Sequence, residues 1–311
     1  MRLGVDIGGT NFVVGLVDDN FKLIDKVDCP ANAQRPDTEL VADIIMLCKK
    51  IMEKHNLTDK DVESIGIGVP GCHDPEKGVV LYCANINFKN TPVSDLIRKE
   101  IDVPVFLGND ADCAALGEAY AGATKGVDDS IMITIGTGIG GGIIINKKIY
   151  NGFNHIGGEL GHIVIVADGE KCGCGRKGCW EAYSSATALI RMTKEKIAEC
   201  ESQGRYTVMS KAERISGRTA CDAMRAGDEA AKEVYDKYVK YLAAGITNLV
   251  NIFQPEVISL GGGVSNEGQS LIDAISPIVH KEQYGSGFLQ LVKLRIAELG
   301  NDAGMIGAAM M

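Results

Sequence analysis

Four residues within one short stretch have the types and the spacing of zinc ligands. They are His162, Cys172, Cys174 and Cys179. Thiolate and imidazole groups together select zinc among the common ions, and four protein donors complete a tetrahedral site without an open position. The intervening glycines allow the chain to turn tightly enough for the sulfur atoms to converge. The stretch therefore predicts a structural zinc site, and the alternative is three reduced cysteines in a glycine-rich loop beside an unrelated histidine.

Three glycine-rich turns, each directly after a predicted strand, have the composition of phosphate-binding turns. They are Gly8-Gly9-Thr10, Gly136-Thr137-Gly138 and Gly261-Gly262-Gly263. Backbone N–H groups freed by glycine can approach an anion closely, and the threonine hydroxyls add donors. A single turn of this kind is more often a plain strand end. Three in one chain favour a nucleoside triphosphate as the ligand.

The second of these turns also matches the dinucleotide fingerprint through Gly136, Gly138 and Gly141. That fingerprint requires a helix after the glycines, whereas the residues at 143–145 are isoleucines that predict a continuing strand. A nicotinamide-dependent dehydrogenase is therefore disfavoured. The chain also lacks a GxxxxGK[ST] segment, which excludes the P-loop class.

Four acidic residues are candidates for chemistry. Asp110 lies where a predicted strand passes into a helix, so it is either a general base for a bound hydroxyl group or a helix cap. Asp6 precedes the first glycine turn, where it could approach a phosphate-bound magnesium ion or only cap the turn. Glu159 and Glu181 flank the cysteine loop, where they could accept hydrogen bonds from a polyol or form surface ion pairs.

The elements that must position these residues alternate between strand and helix, which favours an α/β sheet. Residues 2–28 predict a three-stranded meander, and residues 37–55 carry apolar positions at helical spacing. The segment that begins at residue 130 repeats the opening meander at an offset of 128 without a gap. Two similarly built domains are therefore expected, and the alternative is a chance match of two glycine-rich strands.

Length and composition agree with a globular protein of two domains. The chain has 311 residues, of which 45% are hydrophobic and 23% charged. Its net charge of −9 argues against nucleic acid as a partner. Residues 131–145, an uncharged run, are too few to span a bilayer, so no membrane segment is expected. With ten cysteines and no leader-like start, the protein is expected to keep reduced thiols in the cytoplasm.

Six segments, taken in order along nearly the whole chain, resemble the ROK family of sugar kinases and repressors. They are DIGGT (6–10), GND (108–110), GTGIGGG (136–142), GGELGH (157–162), CGCGRKGCWE (172–181) and LGGG (260–263). The resemblance implies the two-domain actin-like ATPase (ribonuclease H-like) fold, an α/β fold with ATP and sugar in the interdomain cleft. It implies a small domain of residues 1–117 with 299–311, and a larger domain of residues 118–298 that carries the zinc loop.

The resemblance also implies a role for each matching position. Asp110 becomes the catalytic base, and His162 both ligates zinc and contacts the sugar. The implied hexose-binding residues are Gly71, Asn85, Asn109, Asp110, Glu159, His162 and Glu181. The implied residues for ATP and its Mg²⁺ ion are Asp6, Gly8, Gly9, Thr10, Asn11, Gly136, Thr137, Gly138, Gly261, Gly262 and Gly263.

The implied activity is ATP-dependent phosphorylation of a hexose, with glucose converted to glucose 6-phosphate as the first expectation. The resemblance implies fructose, N-acetylmannosamine, N-acetylglucosamine and allose as the alternative acceptors. Gly108 stands where many family glucokinases have an acidic residue, a departure that leaves the core chemistry intact and bears on the choice of sugar. Repressors of the family carry a DNA-binding segment before the kinase-like part. The DIGGT segment begins at residue 6, so a repressor is disfavoured. A homodimer or homotetramer is implied by the resemblance alone.

Overall fold

The computed structural model describes all 311 residues. In the first half of the chain the elements, in order, are β1 (Arg2–Ile7), β2 (Asn11–Val17), β3 (Leu23–Pro30), α1 (Asp37–Lys54), β4 (Ile65–Val69), β5 (Cys72–Asp74), β6 (Val79–Tyr82), β7 (Lys89–Thr91), α2 (Val93–Arg98), β8 (Val105–Asn109) and α3 (Asp110–Ala121). The predicted meander and the helix at 37–55 are confirmed.

In the second half the elements, in order, are β9 (Ser130–Ile135), β10 (Ile139–Ile145), β11 (Lys148–Tyr150), α4 (Glu181–Ser184), α5 (Ala186–Ser202), α6 (Thr219–Arg225), α7 (Glu229–Phe253), β12 (Val257–Gly261), α8 (Gln269–Glu282), β13 (Lys293–Ile296) and α9 (Ala303–Ala308). Short 3-10 turns lie at Leu160–His162, Val208–Lys211, Gly263–Glu267 and Gly300–Asp302. No helix combines the length and the apolar character that crossing a bilayer requires.

The first sheet joins an antiparallel meander to two parallel strands. Its order is β3-β2-β1-β4-β8, in which β4 pairs parallel to both β1 and β8. Val5 in β1 lies opposite Val14 in β2 and Ile67 in β4, and all three side chains are buried. Their burial explains why these strands contain near-continuous apolar runs.

The internal repeat is confirmed to the residue for the first two strands of each meander, whereas β11 is shorter than β3 and begins three residues before the position that the offset gives. Adding 128 to the bounds of β1 gives 130–135, the bounds of β9, and adding it to those of β2 gives 139–145, the bounds of β10. The second sheet has the order β11-β10-β9-β12-β13, which matches the first sheet strand by strand. The same hairpin with a glycine turn thus opens both halves of the chain.

A small third sheet, with the order β5-β6-β7, was only partly predicted, because the sequence indicated β6 alone. The two flanking strands, Cys72–Asp74 and Lys89–Thr91, have three residues each and carry polar side chains. These two strands are therefore defined by main-chain pairing with β6, and their sequences lack the alternation of apolar residues that predicts a strand.

The chain forms two compact units. The first comprises residues 1–132, 142–158 and 297–311, and the second comprises residues 133–141 and 159–296. The first unit includes residues 118–132, 142–158 and 297–298, which the sequence expectation placed in the second domain. The proposed domain limits of 1–117 with 299–311, and of 118–298, stay a prediction.

Helix α9 packs in the first unit by backbone-to-backbone contact. A Cβ atom on Gly66 in β4 would overlap the carbonyl oxygen of Ala308, and one on Gly307 would overlap that of Cys113 in α3. Glu118, also in α3, is fully buried, and its carboxylate accepts backbone N–H groups of Ala123, Glu298 and Leu299. These contacts fix the segment that precedes α9 against α3.

Replacing Gly66 by alanine is expected to lower the free energy of unfolding by about 1–3 kcal/mol, because the added methyl group overpacks a contact between backbones. Urea denaturation measures this loss. Gly287→Ala is the matched control, since a Cβ atom there meets nothing within 4 Å. Equal stability of the two variants would contradict the close packing of α9.

Candidate functional site

Three strands of the first unit end at one edge of the first sheet. In the registers of the parallel pairs, Asp6 is level with Gly68, Gly68 with Gly108, and Val69 with Asn109. The carboxyl ends of β1, β4 and β8 therefore lie side by side. This edge is where α/β folds commonly bind their ligands.

Asp110 is the first residue of α3, and its predecessor caps the helix. Asn109 Oδ1 accepts the N–H groups of Ala111 at 2.8 Å and of Asp112 at 3.2 Å, as an N-cap side chain does. Asp110 Oδ1 accepts the N–H of Ala111 at 2.9 Å as well. The N-cap is thus Asn109, so the alternative that Asp110 serves as the cap is not needed to explain its position.

Asp6 and Asp110 influence each other electrostatically. Burial raises the pKa of Asp6 to about 6, and the negative charge of Asp110 contributes in the same direction. Two neighbouring carboxylates resist simultaneous ionisation, particularly in a partly buried site. Asp6 therefore holds its proton to a higher pH than an exposed aspartate does, and a bound cation would favour its charged form.

The first glycine turn lies beside the loop that carries Asn85. The N–H of Gly8 donates to the carbonyl of Asn11 at 3.0 Å, while Gly9 and Thr10 are exposed. A Cβ atom on Gly9 would meet only the Cβ of Asn85, at 3.9 Å. Asn85 is itself exposed, and its Cβ atom lies beside the turn. Ligand access to both is open.

Gly71 follows β4, and only glycine fits there. Its φ is +125°, and a Cβ atom would overlap the carbonyl oxygen of Tyr82 and lie 3.2 Å from the Cα of Cys83. Burial raises the pKa of Cys83 to about 11, and the nearby charge of Asp110 adds to the effect. The Gly71 turn and Asp110 are therefore neighbours through Cys83. The sequence-predicted residues that the first unit gathers are Asp6, Gly8, Gly9, Thr10, Asn11, Gly71, Asn85, Asn109 and Asp110.

In the second unit, the turn between β9 and β10 is hydrogen-bonded to the side chain of Glu181. The Glu181 carboxylate accepts the N–H of Ile139 at 3.0 Å and occupies the space that a side chain on Gly138 would fill. The Gly136 carbonyl accepts the N–H of Ala186, where α5 begins, and the Gly136 N–H donates to the carbonyl of Gly138 at 3.0 Å. Glu181 thus braces this turn, which is a different task from the surface ion pair considered as its alternative.

The third glycine turn, Gly261 to Gly263, meets the end of β9. A Cβ atom on Gly262 would crowd the backbone of Ile135, while one on Gly263 would meet nothing within 4 Å. Ser265 donates its hydroxyl group to the Gly262 carbonyl at 2.7 Å, which closes the turn. The second and third turns are therefore adjacent, and the exposed Thr137 lies in the second.

The predicted zinc ligands converge. The donor atoms of His162, Cys172, Cys174 and Cys179 all lie within 4.8 Å of one another. His162 Nδ1 is 3.6 Å from Cys172 Sγ, and the Sγ atoms of Cys174 and Cys179 are 3.7 Å apart. A tetrahedral zinc ion with Zn–S bonds of about 2.3 Å holds its sulfur donors about 3.8 Å apart. Donor types and spacing thus fit zinc.

His162 and Glu181 both lie beside this cluster. His162 ends the 3-10 turn Leu160–His162, which the exposed Glu159 precedes. Glu181 Oε1 is 3.4 Å from Cys172 Sγ. The sequence-predicted residues that the second unit contains are Gly136, Thr137, Gly138, Glu159, His162, Cys172, Cys174, Cys179, Glu181, Gly261, Gly262 and Gly263.

Trp180 was missed as a functional residue. It is fully buried, and its Nε1 donates to the carbonyl of Tyr241 in α7 at 3.0 Å. Because Trp180 stands between Cys179 and Glu181, it anchors the cysteine loop to α7. The sequence did contain a signal for this role, since Trp180 is the only tryptophan of the chain.

Each of the two similar sheets consists of a meander with two parallel strands, and each has a glycine turn after its first strand. This is the actin-like ATPase, or ribonuclease H-like, fold that the sequence predicts. The chain belongs to the ROK family, whose profile matches residues 2–311.

Three similar proteins match nearly the whole length of this chain. A glucokinase from Halalkalibacterium halodurans is 35% identical over 99% of this chain and 94% of its own. The crystal structure of a ROK family glucokinase from Streptomyces griseus in complex with glucose and AMPPNP is 34% identical, has a TM-score of 0.79 and covers 99% of this chain and 98% of its own. A ROK family transcriptional regulator, at 29% identity and a TM-score of 0.86, covers 99% of this chain, which spans 76% of the regulator.

Asp6 is expected to make the stability of the ligand-free protein fall as pH rises. Its folded pKa of about 6 exceeds the ordinary value of 3.8, so its contribution is fully present below pH 3.8 and is lost as pH rises through 6. The loss amounts to about 3 kcal/mol at most. Asp6→Asn should remove this component in unfolding measured from acid to neutral pH, whereas the exposed Asp19→Asn should keep it. An unchanged pH dependence in Asp6→Asn would contradict the assignment.

Proposed function

We propose that this protein is an ATP-dependent hexose kinase that converts glucose to glucose 6-phosphate. The observation that carries the proposal is Asp110 at the start of α3, at the same sheet edge as the Gly8–Gly9 turn and Asn85. A glycine turn suited to phosphate thus shares an edge with a carboxylate suited to a hydroxyl group. The likeness to a ROK glucokinase bound to glucose and AMPPNP supports glucose and ATP as the two substrates.

Asp110 acts as the general base. It accepts the proton of the 6-hydroxyl group as that oxygen attacks the γ-phosphorus of ATP, and the bond from phosphorus to the ADP oxygen breaks. Phosphoryl transfer passes through a loose transition state with charge spread over the phosphoryl oxygens, so positioning and charge stabilisation account for most of the rate. Asn109 supports this role because its side chain fixes the start of α3.

The hexose is held by side chains at Asp110 and at the positions that the family resemblance identified. They are Gly71, Asn85, Asn109, Glu159, His162 and Glu181. Gly71 leaves room for the turn after β4, and the exposed amide of Asn85 is suited to a sugar hydroxyl group. Glu181 is partly exposed and accepts one backbone N–H, which leaves carboxylate lone pairs for a hydroxyl donor.

ATP is bound by the glycine turns. N–H and hydroxyl donors come from Gly8, Gly9, Thr10, Asn11, Gly136, Thr137 and Gly138, and the turn of Gly261, Gly262 and Gly263 accommodates the adenosine end. Asp6 would hold the Mg²⁺ ion that accompanies ATP, directly or through water. When bound, that ion neutralises phosphate charge.

Zinc is the metal proposed for His162, Cys172, Cys174 and Cys179. Four protein donors make the site structural, so zinc takes no part in the chemical step. Its purpose is to hold His162 and Glu181 in place, since one is a ligand and the other lies 3.4 Å from the Cys172 sulfur.

Fructose, N-acetylmannosamine, N-acetylglucosamine and allose are the alternative acceptors. A coupled assay of ADP release with ATP and a panel of hexoses ranks them by kcat/KM. A sugar-sensing regulator without kinase activity would bind a sugar and release no ADP in this assay. The family resemblance also supports a homodimer or homotetramer, which sedimentation velocity distinguishes.

Asp110→Asn is expected to lower kcat about 100- to 10,000-fold, because a positioned base contributes that much to proton transfer. Zinc content and the thermal unfolding midpoint should stay at wild-type values. Asp95→Asn, an exposed change on α2 in the same unit, should leave kcat unaltered. Near-normal turnover in Asp110→Asn would overturn the base assignment.

Removing zinc with a chelator is expected to weaken glucose binding and shift the emission of Trp180 to longer wavelength, because the loop that buries this side chain loses its closure. Metal analysis verifies the removal, and glucose titration and fluorescence measure the two effects. Cys174→Ser should reproduce them, whereas Cys29→Ser on β3 should not. A metal-free protein with unchanged glucose affinity would contradict the role given to zinc.

A further inference from the structure

One residue outside those assigned so far holds the loop of Asn85 to the segment that follows β3. The backbone N–H of Asn87 donates to the carbonyl of Ala33 at 2.8 Å. Its side-chain Nδ2 donates to the carbonyl of Arg35 at 3.0 Å. Asn87 is therefore fixed to one short stretch of chain through its main chain and its side chain at the same time.

That stretch, residues 31–35, continues the first sheet. The pairing of β2 with β3 ends at Asn11 and Pro30, and the next residue, Ala31, donates its N–H to the carbonyl of Thr10 at 2.8 Å. Residues 31–35 thus run from the glycine turn proposed for ATP to the loop proposed for the hexose. The end at Thr10 is held by the sheet and does not depend on Asn87.

The side chain of Arg35 closes the same stretch into a turn. Its Nη2 donates to the carbonyl of Ala31 at 3.2 Å, and its Nε donates to that of Asn32 at 3.4 Å. The guanidinium group also forms an ion pair with Asp43 on α1. A planar guanidinium with five N–H donors can make these contacts together. The carbonyl of Arg35 is therefore presented to Asn87 in one orientation.

Within the loop of Asn85, buried and exposed side chains alternate. Ile86 and Phe88 are only 2% and 1% exposed, whereas Asn85 and Asn87 are exposed. Burial of the two apolar side chains holds the loop against the core, but apolar contacts have no directional preference. Hydrogen bonds do, so the orientation of the loop comes from Asn87. Asn85, whose Cβ is 3.9 Å from the position of a Cβ on Gly9, lies between these anchors.

We propose that Asn87, together with Arg35, is a positioning residue for the hexose. Its amide group keeps Asn85 at a fixed distance from the Gly8–Thr10 turn. A loop that is ordered before the sugar arrives loses less conformational freedom on binding, which favours affinity. This inference rests on the proposed function, because it deepens the account of hexose binding.

Asn87→Ala is expected to raise the KM for glucose about five- to tenfold, the effect of losing one hydrogen bond, while kcat and the KM for ATP stay within about twofold. The KM for ATP is spared because Thr10 is held by the sheet. Asn20→Ala is the matched control, since Asn20 is exposed in the turn at the other end of β2. An unchanged KM for glucose in Asn87→Ala would overturn the proposal.

Asn87→Asp separates the tie to Arg35 from direct acceptance of a sugar hydroxyl group. An ionised aspartate keeps the shape and an acceptor oxygen but has no proton to donate to the Arg35 carbonyl. The KM for glucose should therefore rise at least as much as in Asn87→Ala. A wild-type KM in Asn87→Asp would show that the donor is not needed and would overturn the proposal.

Hydrogen exchange tests the tie without any assay of activity. In Asn87→Ala, backbone amides of residues 84–88 should exchange faster than in the wild type, while those of β1 keep their rates because the sheet stays folded. Equal exchange of residues 84–88 in the two proteins would overturn the proposal. Failure of the proposed function is recognised separately, since the wild-type protein would then phosphorylate no hexose while the exchange result still reports on the tie.

A double-mutant cycle tests the part given to Arg35. Arg35→Met keeps most of the aliphatic stem and removes the guanidinium group. If Arg35 acts on the hexose through Asn87, this change should raise the KM for glucose alone and add little to the loss in Asn87→Ala. Additive losses would overturn the joint role of the two residues.

Discussion

The close approach of α9 to three other elements is the constraint on which the first unit depends. Gly66 in β4 and Gly307 in α9 let backbones touch where any side chain would intervene, and Gly304 of α9 lies next to the carboxylate of Asp6. The same helix therefore sets the spacing of β1, β4 and α3. Since Asp6 and Asp110 are carried by two of these elements, the geometry of the candidate site follows from packing among small residues. Overpacking at such a contact displaces backbone and not only side chains.

The second unit secures its site through three consecutive residues with three different tasks. Cys179 faces the other candidate ligands, Trp180 is buried against α7, and Glu181 accepts the N–H of Ile139. A single short segment thus couples a metal site, a hydrophobic core and a glycine turn. Small errors in the position of one would be transmitted to the others, because packed interiors have few voids to absorb them.

The parts of this protein that could be predicted from its sequence are those in which neighbours along the chain suffice. The cysteine loop and the glycine turns are local patterns, and so is each copy of the repeated hairpin, whose comparison places β9 and β10 to the residue. The parts that could not be predicted depend on partners far away in the chain. The Glu118 carboxylate accepts the N–H of Leu299, which lies 181 positions later in the chain. No sequence pattern predicts a contact over that separation. The strands β5 and β7 likewise depend on pairing with β6.

The placement of α9 also has a consequence for the order in which the protein forms on the ribosome. Residues 1–132 emerge early, yet the buried carboxylate of Glu118 then has only the N–H of Ala123, and it gains its two other backbone partners when residues 298 and 299 have been synthesised. Residues 159–296 are completed before that point. During translation the part that begins first therefore reaches its final state last, and the surfaces of β1 and β4 against which α9 packs stay uncovered until then.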